Sequence, residues 1–271
     1  MTVDLDEARA CYDAQGQRTS PLLFTPSEIS GYLDATEQVV AGRHRSGRAP
    51  TLCLPFEPGL HGLRKIDNAW WAEPDLATLA TDSRLGEIAA ALLGASSVRL
   101  WQDQLLYKPP GDAATTTIGW HQDWASWDTV ASHDAFVTAW VAFDDVDDAN
   151  GAMQMIPGSH RWGLVPGGSN FFATDRDAQL AGFGDREAEP RSVVMQAGQV
   201  SFHHPLTFHG SGPNTSDRLR RSLAVHFDDA SVTAVSREGF WQHYNLALFT
   251  ERGGALGEPY RFDDLCPTVH P

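Results

Sequence analysis

The chain is poor in cysteine and in positive charge, and it has no long apolar run. Its three cysteines, Cys11, Cys53 and Cys266, are odd in number, far apart and without a CxxC pair. That argues against a disulfide framework or a structural zinc and for reduced thiols in a cytosolic setting. Lys plus Arg number 20 against 35 Asp plus Glu, a formal net charge of −15 spread along the chain rather than gathered in a tail. Such a body repels phosphate backbones and anionic lipid, so neither nucleic acid nor membrane is expected as a partner. No apolar stretch approaches a bilayer span. The start, MTVDLDEARACYDAQG, lacks the basic and apolar regions of a secretory signal, which makes the cytoplasm the expected location. Internal repeats and low-complexity tracts are missing too.

What is present is globular: 42% hydrophobic and 10% aromatic residues in a chain of 271, enough for one large domain. Residues 25–42 read as a helix, because Thr25, Pro26 and Glu28 form a capping box with proline at the first helical position. Phe24 and Ile29 fit a hydrophobic staple, and Gly42 is a stop. Leu76, Leu79, Leu85, Ile88 and Leu92 recur at helical spacing and predict a second helix over 74–93, ended by Gly94. From Val98 onward the texture changes to short runs rich in Val, Phe, Trp, Leu and Met separated by turn formers: 98–108, 136–146, 151–156, 192–204 and 218–227. This indicates a mainly β sandwich or barrel with helices against one face. The expected organisation is a single domain over 1–271, with a mostly helical buttress at 1–97, a β core at 98–227 and a C-terminal extension at 228–271. The stretch 164–190 lacks periodicity and is either an active-site lid or a surface insertion.

The most informative segments are 200–209 and 218–227, expected to pair as a hairpin across Gly210–Asp217, a stretch dense in turn formers. Read with period 2, Phe202, Leu206 and Phe208 share one face, opposite Ser201, His203, Thr207 and His209. In the second strand Leu223, Val225 and Phe227 are opposite Arg220, Ser222, Ala224 and His226. Greasy faces packed outward leave His209 and Arg220 lining the inside of a barrel, and a polar interior implies a ligand. Upstream, His121 and Asp123 project to one side of an extended segment. Two imidazoles and one carboxylate can hold a divalent first-row metal while leaving three cis positions open. H-x-D alone is a weak signal, and the distant His209 with Arg220 strengthens it.

His121-Gln122-Asp123, Asn150-Gly151 leading to Ile156-Pro157-Gly158-Ser159-His160, and His209-Gly210-Ser211-Gly212-Pro213-Asn214 followed by Arg220 together resemble the phytanoyl-CoA dioxygenase family. Lys108-Pro109-Pro110-Gly111 adds to the likeness, which spans about 98–227. The resemblance implies a double-stranded β-helix, a jelly-roll or cupin-like barrel, and an oxygenase that uses Fe(II), 2-oxoglutarate and O2. It implies that His121, Asp123 and His209 are the catalytic metal ligands and that Arg220 and Ser211 hold the distal carboxylate of 2-oxoglutarate, with Gln104 and Trp140 flanking it. A guanidinium suits that task, since it grips a carboxylate with two parallel bonds. Arg221 falls on the apolar face by period 2. In the family's halogenating relatives the carboxylate position is Ala or Gly, so Asp123 disfavours halogenation and makes hydroxylation of a C–H bond the expected outcome, with cyclisation, epimerisation or desaturation as alternatives.

The substrate is expected to be a small organic molecule of specialised metabolism or catabolism. Trp124, Trp127, Phe171, Phe172 and His203 are candidates to line its pocket, although aromatics more often pack cores. Asp144, Asp145, Asp147 and Asp148 lack the spacing of a calcium loop and read as a solvated turn. A non-catalytic jelly-roll binder and a cupin dioxygenase without 2-oxoglutarate are the competing functions.

Overall fold

Helix formation at the N-terminal side follows local chemistry. A computed structural model describes residues 3–54, 62–127, 132–236 and 243–270, and in it the first helices are α1 (Leu5–Gln15) and α2 (Pro26–Val40). Thr25 Oγ1 accepts from the Glu28 amide while the Glu28 carboxylate accepts from the Thr25 amide at 2.7 Å, the reciprocal cap expected from T-x-x-E. The helix expected over 74–93 is instead two, α3 (Pro74–Ala80) and α4 (Ser83–Leu93). Asp82 breaks it, because its carboxylate accepts from the Arg84 amide at 2.8 Å and starts a new helix. Gly94 closes α4 in the left-handed conformation at φ 64°.

The strands are β1 (Gln17–Thr19), β2 (Leu52–Leu54), β3 (Arg64–Asp67), β4 (Val98–Lys108), β5 (Ile118–His121) and β6 (Phe136–Ala142). After them come β7 (Met153–Met155), β8 (Arg191–Ser192), β9 (Val200–His203), β10 (His209–Ser211), β11 (Arg220–Asp229) and β12 (Thr268–His270). An antiparallel sheet runs β1-β9-β6-β11-β4-β3-β2, with β12 also on β4, and faces a smaller one ordered β5-β10-β7-β8. This is the jelly roll with flanking helices. The segment 1–97 is therefore not only a helical buttress, since it supplies three strands, β1 at one edge of the large sheet and β3 and β2 at the other. Those strands are too short and too mixed in composition to announce themselves by periodicity.

The expected hairpin of 200–209 with 218–227 does not form. β9 ends at His203, and Pro205, which has no amide hydrogen, follows in a turn closed by the Thr207 amide on the His204 carbonyl at 2.8 Å. The chain thereby changes sheets. β10 pairs with β5 and β7, whereas β11 lies between β4 and β6. The parity survives the change: Phe202, Leu223, Val225 and Phe227 pack against the helices, while Ala224, His226 and Arg220 line the barrel.

Beneath the C-terminal segment, Arg99 is buried and bonds Asp228 with two nitrogens, at 3.2 and 2.6 Å, and also the carbonyls of Val232 and Tyr260. One guanidinium so joins β4, the end of β11 and the chain beyond it. Arg99→Met leaves the Asp228 carboxylate buried without its cation, and denaturant titration is expected to show a loss of about 3–5 kcal/mol in unfolding free energy. Replacing Asp228 by Leu as well removes the stranded charge and restores part of that loss.

Candidate metal centre and its cavity

Register brings the first two side chains together. His121 ends β5 and His209 begins β10 directly opposite it, with ring centroids 4.1 Å apart. Asp123 opens the turn that follows and returns its carboxylate to the same point. Each imidazole hydrogen-bonds through Nδ1 to a carbonyl two residues earlier in the chain, His121 to Gly119 and His209 to Thr207, both at 2.9 Å. A carbonyl only accepts, so Nδ1 carries the proton and Nε2 presents a lone pair. These Nε2 atoms lie 3.7 and 3.5 Å from Asp123 Oδ1, spaced to share a cation. Burial pulls both histidines below their usual values, which keeps them neutral and able to ligate.

The other carboxylate oxygen is held by the protein. Thr138 Oγ1 donates to Asp123 Oδ2 at 2.9 Å, and its hydroxyl then accepts from His226 Nδ1 at 2.8 Å. Burial lowers His226 to about 3, so it is neutral. His203 stands 3.4 Å from the same oxygen. A second cluster, His133, Asp134 and His204, also gathers donor atoms. There the Leu206 amide donates to His204 Nδ1 at 3.1 Å, which puts the neutral ring's proton on Nε2, facing Asp134. That tautomer makes a hydrogen bond and not a metal ligand.

From the histidines an inner cavity extends between the sheets, lined by Gln104, Trp140, Ser211 and Arg220 among others. Arg220 is buried 5.4 Å from the Trp140 ring; Nη1 donates to the Gly151 carbonyl, while its buried Nε has no partner among the described residues. Arg221 faces the opposite way, pairing with Asp144 and Glu37. An outer chamber of about 430 Å³ opens past His121 and Asp123, with Trp127, Phe171 and Phe172 along it. Lys65, Asp67, Gln102, His243 and Tyr244 contribute polar lining. Trp124 does not line the chamber; it is buried in a cluster with Trp101, Phe136 and Trp127. It is a core residue, turned inward because its amide is tied to the Pro205 carbonyl.

The segment 164–190 is docked, not a free insertion. The Gly119 amide donates to Phe171 and the Asn170 amide to Trp120, while Gln179 bonds both backbone groups of Trp120. Gly119 permits this approach, since a Cβ there would stand 2.1 Å from the Asn170 carbonyl. The docking sets Phe171 edge-on to His121 at 5.1 Å. Sequence reasoning missed Thr138, which shares a face of β6 with Trp140 by period 2, and the polar lining from 65–67 and 243–244, for which there was no local signal.

Residues 12–222 match the family model described as phytanoyl-CoA dioxygenase. A probable alpha-ketoglutarate-dependent hypophosphite dioxygenase of Stutzerimonas stutzeri is 28% identical over 70% of this chain and 65% of its own length. The peroxisomal phytanoyl-CoA dioxygenase of Bos taurus is 32% identical over 50% of this chain and 41% of that one. Each match spans less than two thirds of the relative. Among solved structures, the non-heme alpha-ketoglutarate-dependent carbocyclase SnoK from nogalamycin biosynthesis is 26% identical, with a TM-score of 0.75 over 97% of this chain and 95% of that one. The epimerase SnoN, solved with Fe3+, alpha-ketoglutarate and nogalamycin RO, is 23% identical and has a TM-score of 0.74 over 98% of each chain, a likeness of fold.

The tautomers make the two clusters distinguishable. In calorimetric titration with Co(II), His209→Gln is expected to abolish high-affinity binding and His204→Gln to leave it unchanged. Thr138→Val, which frees Asp123 Oδ2, is expected to weaken Co(II) binding about 10–100-fold without changing the stoichiometry.

Proposed function

The chain belongs to the phytanoyl-CoA dioxygenase family, and on that premise we propose that it is an Fe(II)- and 2-oxoglutarate-dependent oxygenase acting on a C–H bond of a small organic molecule. The observation that carries the proposal is the donor set itself. Two Nε2 lone pairs with their Nδ1 protons already committed, and one oxygen of a carboxylate whose other oxygen is hydrogen-bonded, form a preorganised facial ligand set. His121, Asp123 and His209 would hold the metal. Bound iron supplies the activation of O2 coupled to oxidative decarboxylation of 2-oxoglutarate to succinate and CO2.

The remaining work falls to the chain. Arg220, buried and without a carboxylate partner among the described residues, offers its guanidinium to the distal carboxylate of 2-oxoglutarate, and Ser211 adds a hydroxyl. Gln104 and Trp140 confine the co-substrate between them. Substrate enters the outer chamber, where Trp127, Phe171 and Phe172 give it an apolar surface and exclude water, and the Lys65–Asp67 pair with the Gln102–His243 hydrogen bond gives it polar contacts. His203, a candidate for the substrate pocket, lines the inner cavity beside Asp123 and not the outer chamber. Asp123 occupies the position that halide needs in halogenating relatives, so hydroxylation is the proposed outcome. The full-length likeness to SnoK favours carbocycle formation as a second reading and specialised metabolism as the setting.

The test is succinate release. Turnover is expected to require both Fe(II) and 2-oxoglutarate, and Arg220→Ala should raise the 2-oxoglutarate concentration needed about a hundredfold, the loss of about 3 kcal/mol from a pair of charge-assisted bonds. Activity indifferent to 2-oxoglutarate would favour the cupin dioxygenase, and absence of metal binding would favour a binder. With a substrate in hand, product mass separates the outcomes: hydroxylation adds one oxygen, whereas ring closure removes two hydrogens.

A further inference from the structure

Directly across from Arg220 in the register of β11 and β4 stands Lys108. Side chains so paired have Cβ atoms about 5 Å apart, and like charges there repel. Both residues are buried, at 1% and 0% exposure, and neither forms an ion pair among the described residues. Two adjacent buried cations without a carboxylate are a cost to the fold, and a site for an anion is what such an arrangement gains. Lys108 does not itself reach the cavity. Its Nζ donates to Ser211 Oγ at 2.6 Å and to the Gly212 carbonyl at 2.7 Å. Ser211 Oγ, with the lysine on one side, keeps its own hydrogen for an acceptor inside the cavity that it lines. Burial and the neighbouring Arg220 pull the Lys108 ammonium well below its ordinary value, so an anion at Ser211 would favour the charged form.

We propose that Lys108 is a positioning residue that selects a dicarboxylate co-substrate: it orients the Ser211 hydroxyl toward the distal carboxylate and supplies the second positive charge that the carboxylate neutralises. The inference rests on the reading of Arg220 as the anchor of 2-oxoglutarate. It predicts that Lys108 matters to one end of the co-substrate only. The metal ligands, which would hold the other end through a bound ion, are untouched by its removal.

The experiment is calorimetric titration of the Co(II)-loaded full chain with 2-oxoglutarate and with 2-oxopentanoate, which has the same carbon chain but no distal carboxylate. Lys108→Met is expected to weaken 2-oxoglutarate at least tenfold while leaving 2-oxopentanoate and Co(II) affinity unchanged, and the ligand-free melting temperature should hold or rise as the like-charge pair is removed. Ser211→Ala provides the same test without touching the buried lysine: a selective loss is expected, and the double variant should lose no more than the larger single loss. Equal weakening of both acids, or unchanged 2-oxoglutarate affinity in Lys108→Met, overturns the proposal. If Arg220→Ala weakens 2-oxoglutarate and Lys108→Met does not, this inference alone fails. If neither does, the assignment of the cavity fails with it.

Discussion

Two backbone carbonyls decide what this barrel can bind. Gly119 and Thr207 each take the Nδ1 proton of the histidine two residues further on, and that commitment turns both Nε2 lone pairs toward Asp123. Without it the imidazoles would be free to rotate or exchange tautomers, and a carboxylate 3.5–3.7 Å away would draw an N–H instead of leaving space for a cation. The cluster of His133, Asp134 and His204 shows the alternative in the same molecule. It contains the same residue types at similar separations, but an amide faces Nδ1 where a carbonyl would be needed. Composition does not distinguish the two; the backbone does.

The barrel interior also separates charge along its length. At one end sit neutral histidines around a single carboxylate, and at the other a buried arginine in register with a buried lysine. A metal at the first end and a carboxylate at the second are complementary demands, and one molecule carrying an α-keto acid head and a carboxylate tail satisfies both. The distance between them is fixed by the width of the barrel, because His209 belongs to the small sheet and Arg220 to the large one. In a hairpin, as the turn-rich stretch 210–217 suggests, the two would lie on one surface and a change in the turn would shift both together. Across two sheets each is anchored by its own neighbours, β5 and β7 for the histidine, β4 and β6 for the arginine.

The sequence made the side-chain directions legible but not the sheet partners. Period-2 alternation identified the inward faces of 200–203 and 220–227 correctly, since alternation is a property of each strand alone. Pairing depends on where the chain leaves one ladder for another, and Pro205 was the one residue that marked it. Trp124 and Trp127 show the same limit. They stand three residues apart beside the metal triplet and pack in one buried cluster, yet only Trp127 also borders the outer chamber, a difference set by the path of the chain after Asp123. The capping box at Thr25 was legible because it is local, whereas the break at Asp82 competed with a leucine pattern that runs through both helices.

The lysine at 108 was visible as part of a motif but not as part of a site, and the reason is physical. Read by parity, it shares a face of β4 with Gln104 and Leu106, which point into the cavity. A lysine at a strand end is ordinarily expected to reach water, since its long stem lets the ammonium escape burial. Here it cannot, because β10 and the turn after it close over the end of the barrel and offer Ser211 and Gly212 as its acceptors among the described residues. The same closure that denies it solvent aligns the serine hydroxyl with the cavity. Burial of the charge and orientation of the hydroxyl are therefore one feature of the packing, and the cost of the first is the means of the second.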